Sequence, residues 1–335
     1  MGKFGSGDTS WFVRERFGMF IHWGLYSMPA RHEWVRHNEK ITNEEYQKYF
    51  EHFNPDLFNP KEWAKAAREA GMRYFVITTK HHEGFCMWDS KYTDYKVTNT
   101  PCGRDLLREV VDAFRAEGIH VGFYYSLIDW HHPDFIIDNR IGPYRELSEE
   151  ERKKMNEGRD MKRYAQYMRN QVRELLTEYG KIDILWFDFS YPAPDGNPEH
   201  GKGHNEWESE ELVKMIRSIQ PDIILDNRLD LPDEGDIHTP EQYTPCEGLK
   251  DKDGKPIVWE GCQTFSGSWG YHRDEQTWKS PEMLIRMLVN TVSLGGNLLM
   301  NVGPTSRGYF DSRALAALKV YADWMKYNSR SIYGC

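Results

Sequence analysis

Ile182-Asp183-Ile184-Leu185-Trp186-Phe187-Asp188-Phe189 is the stretch on which the fold turns. Apart from Asp183 it is a run of β-formers with no polar alternation. That pattern predicts a strand buried on both faces, as in a parallel sheet covered by helices. Asp188 sits near its end, just before Ser190, Tyr191, Pro192 and a loop bearing glycine and proline. Burying a carboxylate without partners is expensive. In parallel α/β proteins, ligands bind and reactions occur at the carboxyl ends of the strands, which gives such a charge a reason to be there.

The neighbouring sequence repeats the alternation. Before the strand, a helical pattern runs from about Met161 to Tyr179 and stops at Gly180. After it, Ser209 reads as an N-cap, with Glu210 and Glu211 in the first turn of a helix that ends near Ile219, before Pro221. Toward the N-terminus, Phe17–Gly24, Tyr74–Thr79 and His120–Tyr125 read as strands. Between them, Asn59, Pro60 and Glu62 read as an N-cap, a first-turn proline and a capping box for a helix ending at Gly71. A second helix from Arg104 to Glu117 has Leu106, Val110 and Phe114 on one face and stops at Gly118. Leu25–Asn43 reads as loop, and His131–Asp160 as a charged insertion on the same rim.

Toward the C-terminus, Ile223–Arg228 is the fifth strand, and Ile237–Tyr243 and Ile257–Cys262 are short candidates. Ser280-Pro281-Glu282 caps a helix to Ser293, Asn297–Val302 is the last strand, and a helix from Asp311 to Asn328 follows. Strands alternating with helices over more than about 250 residues predict a (β/α)8 barrel, with seven strands placed and the eighth open. A doubly wound open sheet is the alternative, but no GxGxxG or Walker-type loop follows any strand.

Composition narrows the partners. A net charge of −9 sets aside nucleic acid and anionic membrane surfaces. No stretch is long and apolar enough to span a bilayer. Met1–Ser10 is polar and Gly-rich, without the apolar core of a secretory signal. Five cysteines with no CxxC fit a reduced, cytoplasmic protein. Twelve tryptophans suit either a large α/β core or a flat amphipathic ligand such as a sugar.

Strand after strand ends in a polar side chain: His22, His81 and His82, Tyr124, Asp188, Arg228, then Glu241 or Glu260. In a barrel these ends converge on one pocket. Three chemistries could use them. A metal site could draw on His22, His81, His82 and Asp188. Against it, the first strand lacks His-x-His, and adjacent His81 and His82 in an extended segment point to opposite faces. His131-His132 has the same defect and reads as surface loop. A carboxylate pair could hydrolyse glycosides: Asp188 on its rigid strand suits a nucleophile, and a glutamate on a later loop suits a proton donor. His residues would grip hydroxyls, and Trp34, Trp186 and Trp269 could cover an apolar sugar face. The third reading is a barrel that binds a sugar without chemistry.

The chain resembles the family 29 glycoside hydrolases, the α-L-fucosidases. The resemblance rests on Phe17–Gly24, Glu33-Trp34, Thr78–Trp88, Phe123–Ser126, Leu185–Asp188, Asp226–Arg228, Ser268–Tyr271 and Gly295–Pro304, in that order over nearly the whole chain. It implies a retaining exo-α-L-fucosidase acting on fucosylated oligosaccharides or glycoconjugates, needing no cofactor or metal. It implies Asp188 as nucleophile, with His22, Glu33, Trp34, His81, His82, Tyr124, Trp186, Arg228 and Trp269 lining the fucose pocket. Trp34 or Trp269 would pack against the C5 methyl. The acid/base falls on a variable loop: Glu241 is the expected residue, Glu260 the runner-up, with Glu247 and Glu33 behind. Many members carry a C-terminal β-sandwich. The expectation here is one catalytic barrel over residues 1–335 without that module, leaving a flank that a homo-oligomer could cover.

Overall fold

Among the described residues there are seven strands, β1 (Phe17–Ile21), β2 (Tyr74–Lys80), β3 (His120–Ser126), β4 (Ile184–Asp188), β5 (Ile224–Leu225), β6 (Glu260–Thr264) and β7 (Asn297–Val302), each separated from the next by helix except β5 from β6. They form one parallel sheet in the order β5-β4-β3-β2-β1-β7-β6, a half-barrel wrapped by helices. The computed structural model describes residues 7–232 and 235–335, so the reading of Met1–Ser10 falls largely outside the described residues.

Period-two alternation divides the sheet into two faces. On β2, Phe75 and Ile77 pack outward into the core shared with the helices, while Tyr74 and Val76 face inward. On β4, Leu185 and Phe187 face outward and Ile184 and Trp186 inward. Inner residues from different strands meet in a single buried cluster: Phe20, Tyr74, Tyr124, Trp186, Ile224, Cys262 and Leu299, joined by Ile237. Gly18 makes room inside, because a Cβ there would enter the Tyr74 ring. Outside, the expected face of the helix Leu106–Ala116 is buried at Leu106, Val110 and Phe114, with Phe114 against Phe75. Gly118 and Gly180 follow their helices at φ +68 and +72, where a side chain would be strained.

Several expected elements differ in detail. Asn59 precedes the helix Pro60–Glu69, but its side chain caps nothing and no capping box forms. The helix Ser209–Ile219 is capped by Glu208 in a left-handed conformation, and Ser209 instead donates its hydroxyl to the Leu229 carbonyl at 2.8 Å. Strand β5 is two residues long, shorter than Ile223–Arg228, and β6 begins at Glu260, near the end of the candidate Ile257–Cys262. Ile237–Tyr243 makes only isolated parallel bridges, Ile237 with Asp226, His238 with Trp259 and Glu241 with Cys262. Pro240 withholds a ladder donor and Gln242, at φ 60, turns the chain out of the sheet. Helices also form in stretches for which the sequence suggested none. Val35–Asn38 lies in the first loop, Asn43–His52 follows it, and Glu149–Asn156 lies in the insertion. His131 and His132 are half-buried rather than surface loop, His131 stacked on Tyr95 and His132 packed at a tilt against Tyr167.

No helix among the described residues is long and apolar enough to cross a membrane.

Candidate active site

The inner-face register that buries Phe20, Tyr124, Trp186 and Leu299 carries on past the sheet's carboxyl edge. Two residues beyond them come His22, Ser126, Asp188 and Asn301. The ladder sets Ser126 level with Asp188, whereas Asn301 pairs with Phe20 and so stands one inner-face step below His22, where its side chain can reach the ring from beneath. The cavity above them is lined by every expected site residue: His22, Glu33, Trp34, His81, His82, Tyr124, Trp186, Asp188, Arg228, Glu241 and Trp269. Phe20, Phe189 and Cys262 complete its wall.

Asp188 is held from two sides. Tyr124 donates its hydroxyl to Oδ2 at 2.8 Å, and Arg228 donates Nη1 to Oδ1 at 2.8 Å. The same Arg228 Nη1 lies 2.9 Å from Glu241 Oε2. Two oxygens that share one nitrogen at these distances lie within about 6 Å of each other, and a retaining pair requires about 5–5.5 Å. The guanidinium rests on Trp186, 4.4 Å from the ring, and is steadied by the Thr239 hydroxyl and carbonyl. Phe189, directly after Asp188, has φ 82, a conformation rarely open to an aromatic residue and one that stores strain beside the carboxylate.

The imidazoles are neutral, and two have their tautomers set by neighbours. Asn301 donates Nδ2 to the Trp269 carbonyl at 2.6 Å, so its Oδ1 accepts from His22 Nδ1 at 2.7 Å. Ser126 donates to the Ile128 carbonyl at 2.7 Å, so its oxygen accepts from His82 Nδ1 at 2.7 Å. Both rings therefore keep Nε2 as an acceptor; that of His82 lies 3.8 Å from Asp188. Burial lowers the pKa of His22 to about 3 and of His82 to about 4, with Asp188 opposing the effect in both. Burial and the two neighbouring imidazoles lower that of His81 well below its usual value.

His81 and His82 both line the cavity, against the expectation of opposite faces. Strand β2 ends at Lys80, and the chain turns at once, Gly84 donating its backbone N–H to the His81 carbonyl at 3.0 Å. Strand alternation stops applying there, and the two rings lie 4.0 Å apart. Among the described residues no group of three or more metal-ligating side chains has the geometry to hold an ion.

Of the other three glutamates, Glu247 is exposed and does not line the cavity, and Glu33 and Glu260 separate by position. Glu33 lines the cavity and accepts from the Gly270 N–H at 2.7 Å, and burial raises its pKa to about 7. That contact needs glycine, since a Cβ at Gly270 would press on Tyr26 and the Glu33 backbone. Glu260 lies deeper, outside the cavity lining. It accepts from the Tyr74 hydroxyl at 2.6 Å and from the Trp186 indole at 3.3 Å, and burial raises its pKa to about 7. It ties β2, β4 and β6 together inside the sheet.

The sequence reading missed Phe20, Phe189 and Cys262. Phe20 was visible as the residue two before His22 on the inner face. The left-handed backbone of Phe189 left no sequence signal.

A carboxylate pair and neutral imidazoles at the carboxyl ends of parallel strands define a class, the glycoside hydrolases on α/β scaffolds. The sequence model of the family described as Alpha-L-fucosidase matches residues 7–330. The plasma alpha-L-fucosidase of Rattus norvegicus is 30% identical over 352 residues, covering 97% of this chain and 70% of the relative. Among solved structures, alpha-L-fucosidase isoenzyme 1 from Paenibacillus thiaminolyticus superposes with a TM-score of 0.91 at 52% identity, covering 98% of this chain and 77% of that one. A family 29 alpha-L-fucosidase from Bacteroides thetaiotaomicron, trapped as a covalent intermediate, superposes at 0.84 with 32% identity, covering 99% and 79%. This chain belongs to the alpha-L-fucosidase family and is a retaining glycoside hydrolase.

Proposed function

We propose that the chain removes terminal α-L-fucose from fucosylated oligosaccharides or glycoconjugates, with Asp188 as nucleophile and Glu241 as acid/base. The observation that supports this assignment is the shared Arg228 nitrogen, which brings an oxygen of each carboxylate within about 6 Å of the other, a range that includes the spacing of a retaining pair. Asp188 attacks the anomeric carbon while Glu241 gives its proton to the leaving oxygen. The fucosyl–Asp188 ester is then cleaved by water, whose proton returns to Glu241, and fucose leaves with its α configuration.

The Nε2 atoms of His22 and His82 accept hydrogen bonds from sugar hydroxyls. Glu33, His81, Tyr124 and Arg228 complete the polar wall, and Trp34, Trp186 and Trp269 supply the apolar one. A buried polar site of this kind rejects the wrong hydroxyl pattern, because each missing partner leaves a group unpaired. A metal-dependent hydrolase or a silent binding barrel draws no support from this geometry.

Closure of the sheet into a (β/α)8 barrel is part of the same proposal. It is supported by the parallel bridges from Ile237 to Asp226 and from His238 and Glu241 to Trp259 and Cys262. It is also supported by Ile237 sharing the inner cluster. The five free cysteines favour a cytoplasmic setting.

The decisive experiment is turnover of an aryl α-L-fucoside by the wild type and by Asp188→Ala, with NMR of the first-formed product. α-Fucose from the wild type and no turnover by the variant are expected. Inverted product, or activity that a chelator abolishes, would overturn the assignment.

A further inference from the structure

Strand β5 lies between the strand that carries Asp188 and the segment that carries Glu241, and it stops short of both. We propose that Asn227 is a positioning residue for the proton donor: its side-chain carbonyl replaces the missing end of β5 and sets Glu241 against Asp188. The proposal rests on the reading of Glu241 as proton donor and deepens it.

The ladder between β4 and β5 ends at the pair Leu185 and Leu225, before it reaches Asp188. Beyond that point side chains take over from backbone on both edges. Toward β4, Asp226 Oδ1 accepts the Phe187 N–H at 3.0 Å, directly before the nucleophile. On the other edge, Asn227 Oδ1 accepts the Thr239 N–H at 3.1 Å and the Thr239 hydroxyl at 3.1 Å. An amide oxygen has two lone pairs, so one atom satisfies both donors. Pro240 has no N–H, which makes Thr239 the last backbone donor before Glu241.

Thr239 passes this anchorage on. Its hydroxyl oxygen, while donating to Asn227, accepts Arg228 Nε at 3.0 Å, and its carbonyl accepts Arg228 Nη2 at 3.1 Å. Arg228 Nη1 then reaches Glu241 Oε2 at 2.9 Å. A closed circuit therefore runs from Asn227 through Thr239 and Arg228 to Glu241, two residues after Thr239. The far edge of the segment is tied to β6, Gln242 donating its N–H to the Cys262 carbonyl at 3.0 Å and Cys262 donating to the Pro240 carbonyl at 3.1 Å. The near edge, at Asn227, sets its distance from Asp188. Asn227 is not part of the cavity lining, so it acts through Thr239 and not on the sugar. A general acid is effective only within hydrogen-bond reach of the oxygen it protonates, which makes this placement matter for rate.

The test compares α-L-fucosyl fluoride, whose leaving group departs without a proton, with methyl α-L-fucoside, whose leaving group needs one. In Asn227→Ala the ratio of kcat/KM for the methyl fucoside to that for the fluoride should fall about tenfold, part of the roughly 10²–10⁴-fold that a positioned acid supplies. Such a ratio does not depend on how much of a variant folds, so a merely structural role would leave it unchanged. Asn227→Asp keeps the acceptor and should hold the wild-type ratio. Thr239→Val breaks the hydroxyl link but keeps the N–H bond; it should lower the ratio by about threefold, and it carries the test if Asn227→Ala does not fold. An unchanged ratio in Asn227→Ala or Thr239→Val, or a fall in Asn227→Asp as deep as in Asn227→Ala, overturns the role. In Glu241→Ala the ratio should fall further still. A wild-type ratio there would sink the reading of Glu241 as proton donor, and the role of Asn227 with it.

Discussion

One nitrogen of Arg228 holds both catalytic candidates: Nη1 is 2.8 Å from Asp188 Oδ1 and 2.9 Å from Glu241 Oε2. The first carboxylate stands at the end of a rigid strand, and the second on a segment that only bridges the sheet. Arg228 therefore sets the pair's spacing across elements of unequal stiffness. Arg228→Lys keeps the charge but loses the planar fork and the stacking on Trp186. It should lower kcat/KM for an aryl fucoside by about 10²-fold, the cost of a small misplacement. Activity near that of the wild type would remove Arg228 from this role.

Asp188→Ala should retain the fold, because the carboxylate sits at the cavity and its loss leaves only the Tyr124 hydroxyl and one Arg228 nitrogen without that acceptor. Turnover should fall by at least about 10³-fold with loss of the nucleophile. Azide should restore part of it by entering the vacated face, and the product should be the β-configured azide. Near-normal turnover without azide would refute the assignment.

Glu241 and Glu260 should separate by phenotype. Glu241→Ala should slow defucosylation by about 10²–10⁴-fold. Azide should accelerate it and yield the α-configured azide after two inversions. Glu260→Ala should act on stability instead, leaving the Tyr74 hydroxyl and the Trp186 indole without their acceptor at a cost of about 1–3 kcal/mol. A lower melting temperature, with no azide response, is the expected result. If Glu260→Ala shows the azide chemistry and Glu241→Ala does not, the two roles are exchanged.

The contrast between these glutamates shows what could be read from sequence. The strands around Asp188 were legible because a strand buried on both faces must be apolar almost throughout, and few other structures tolerate that. The polar residue ending each run then marked the rim. Glu260 also ends an apolar run, Ile257–Trp259, yet that run precedes β6, so Glu260 opens its strand where Asp188 closes β4 and lies inside the sheet rather than at the rim. The helix Asn43–His52 carries a legible signal, the Thr42/Glu45 capping box, which the reading of Leu25–Asn43 as loop passed over and which the structure forms. Phe189 and Gln242 were not legible. Their left-handed backbones are imposed by tertiary contacts on residues with no local preference for them.

Asn301→Asp tests the tautomer of His22. The amide leaves His22 Nε2 as an acceptor. A carboxylate in its place favours the imidazolium, which makes Nε2 a donor that no longer complements a hydroxyl proton. KM for an aryl fucoside should rise about tenfold, most strongly at acidic pH where the ring charges first. A KM that is unchanged from pH 5 to 8 would show that His22 does not act through this nitrogen.

Glu33 gives a pH signature that separates its charge from all others. Its folded pKa of about 7 lies above the usual 4.5, chiefly through burial. Between those values the folded state holds a proton that the unfolded state has released, so this group's contribution falls as pH rises and levels off above about 7. Glu83 and Glu260, also raised to about 7, behave alike, while His22 and His82, lowered by burial, act in the opposite sense below 6.5. The wild-type profile is therefore a sum of opposing slopes. The difference between Glu33→Gln and wild type cancels them. The amide that replaces the carboxyl in this variant can still accept from the Gly270 N–H, so the melting temperatures should nearly coincide below pH 4.5. The variant should then gain steadily on the wild type up to about pH 7 and hold a constant lead above it. A difference that does not change across this window would mean that Glu33 titrates normally in the folded protein.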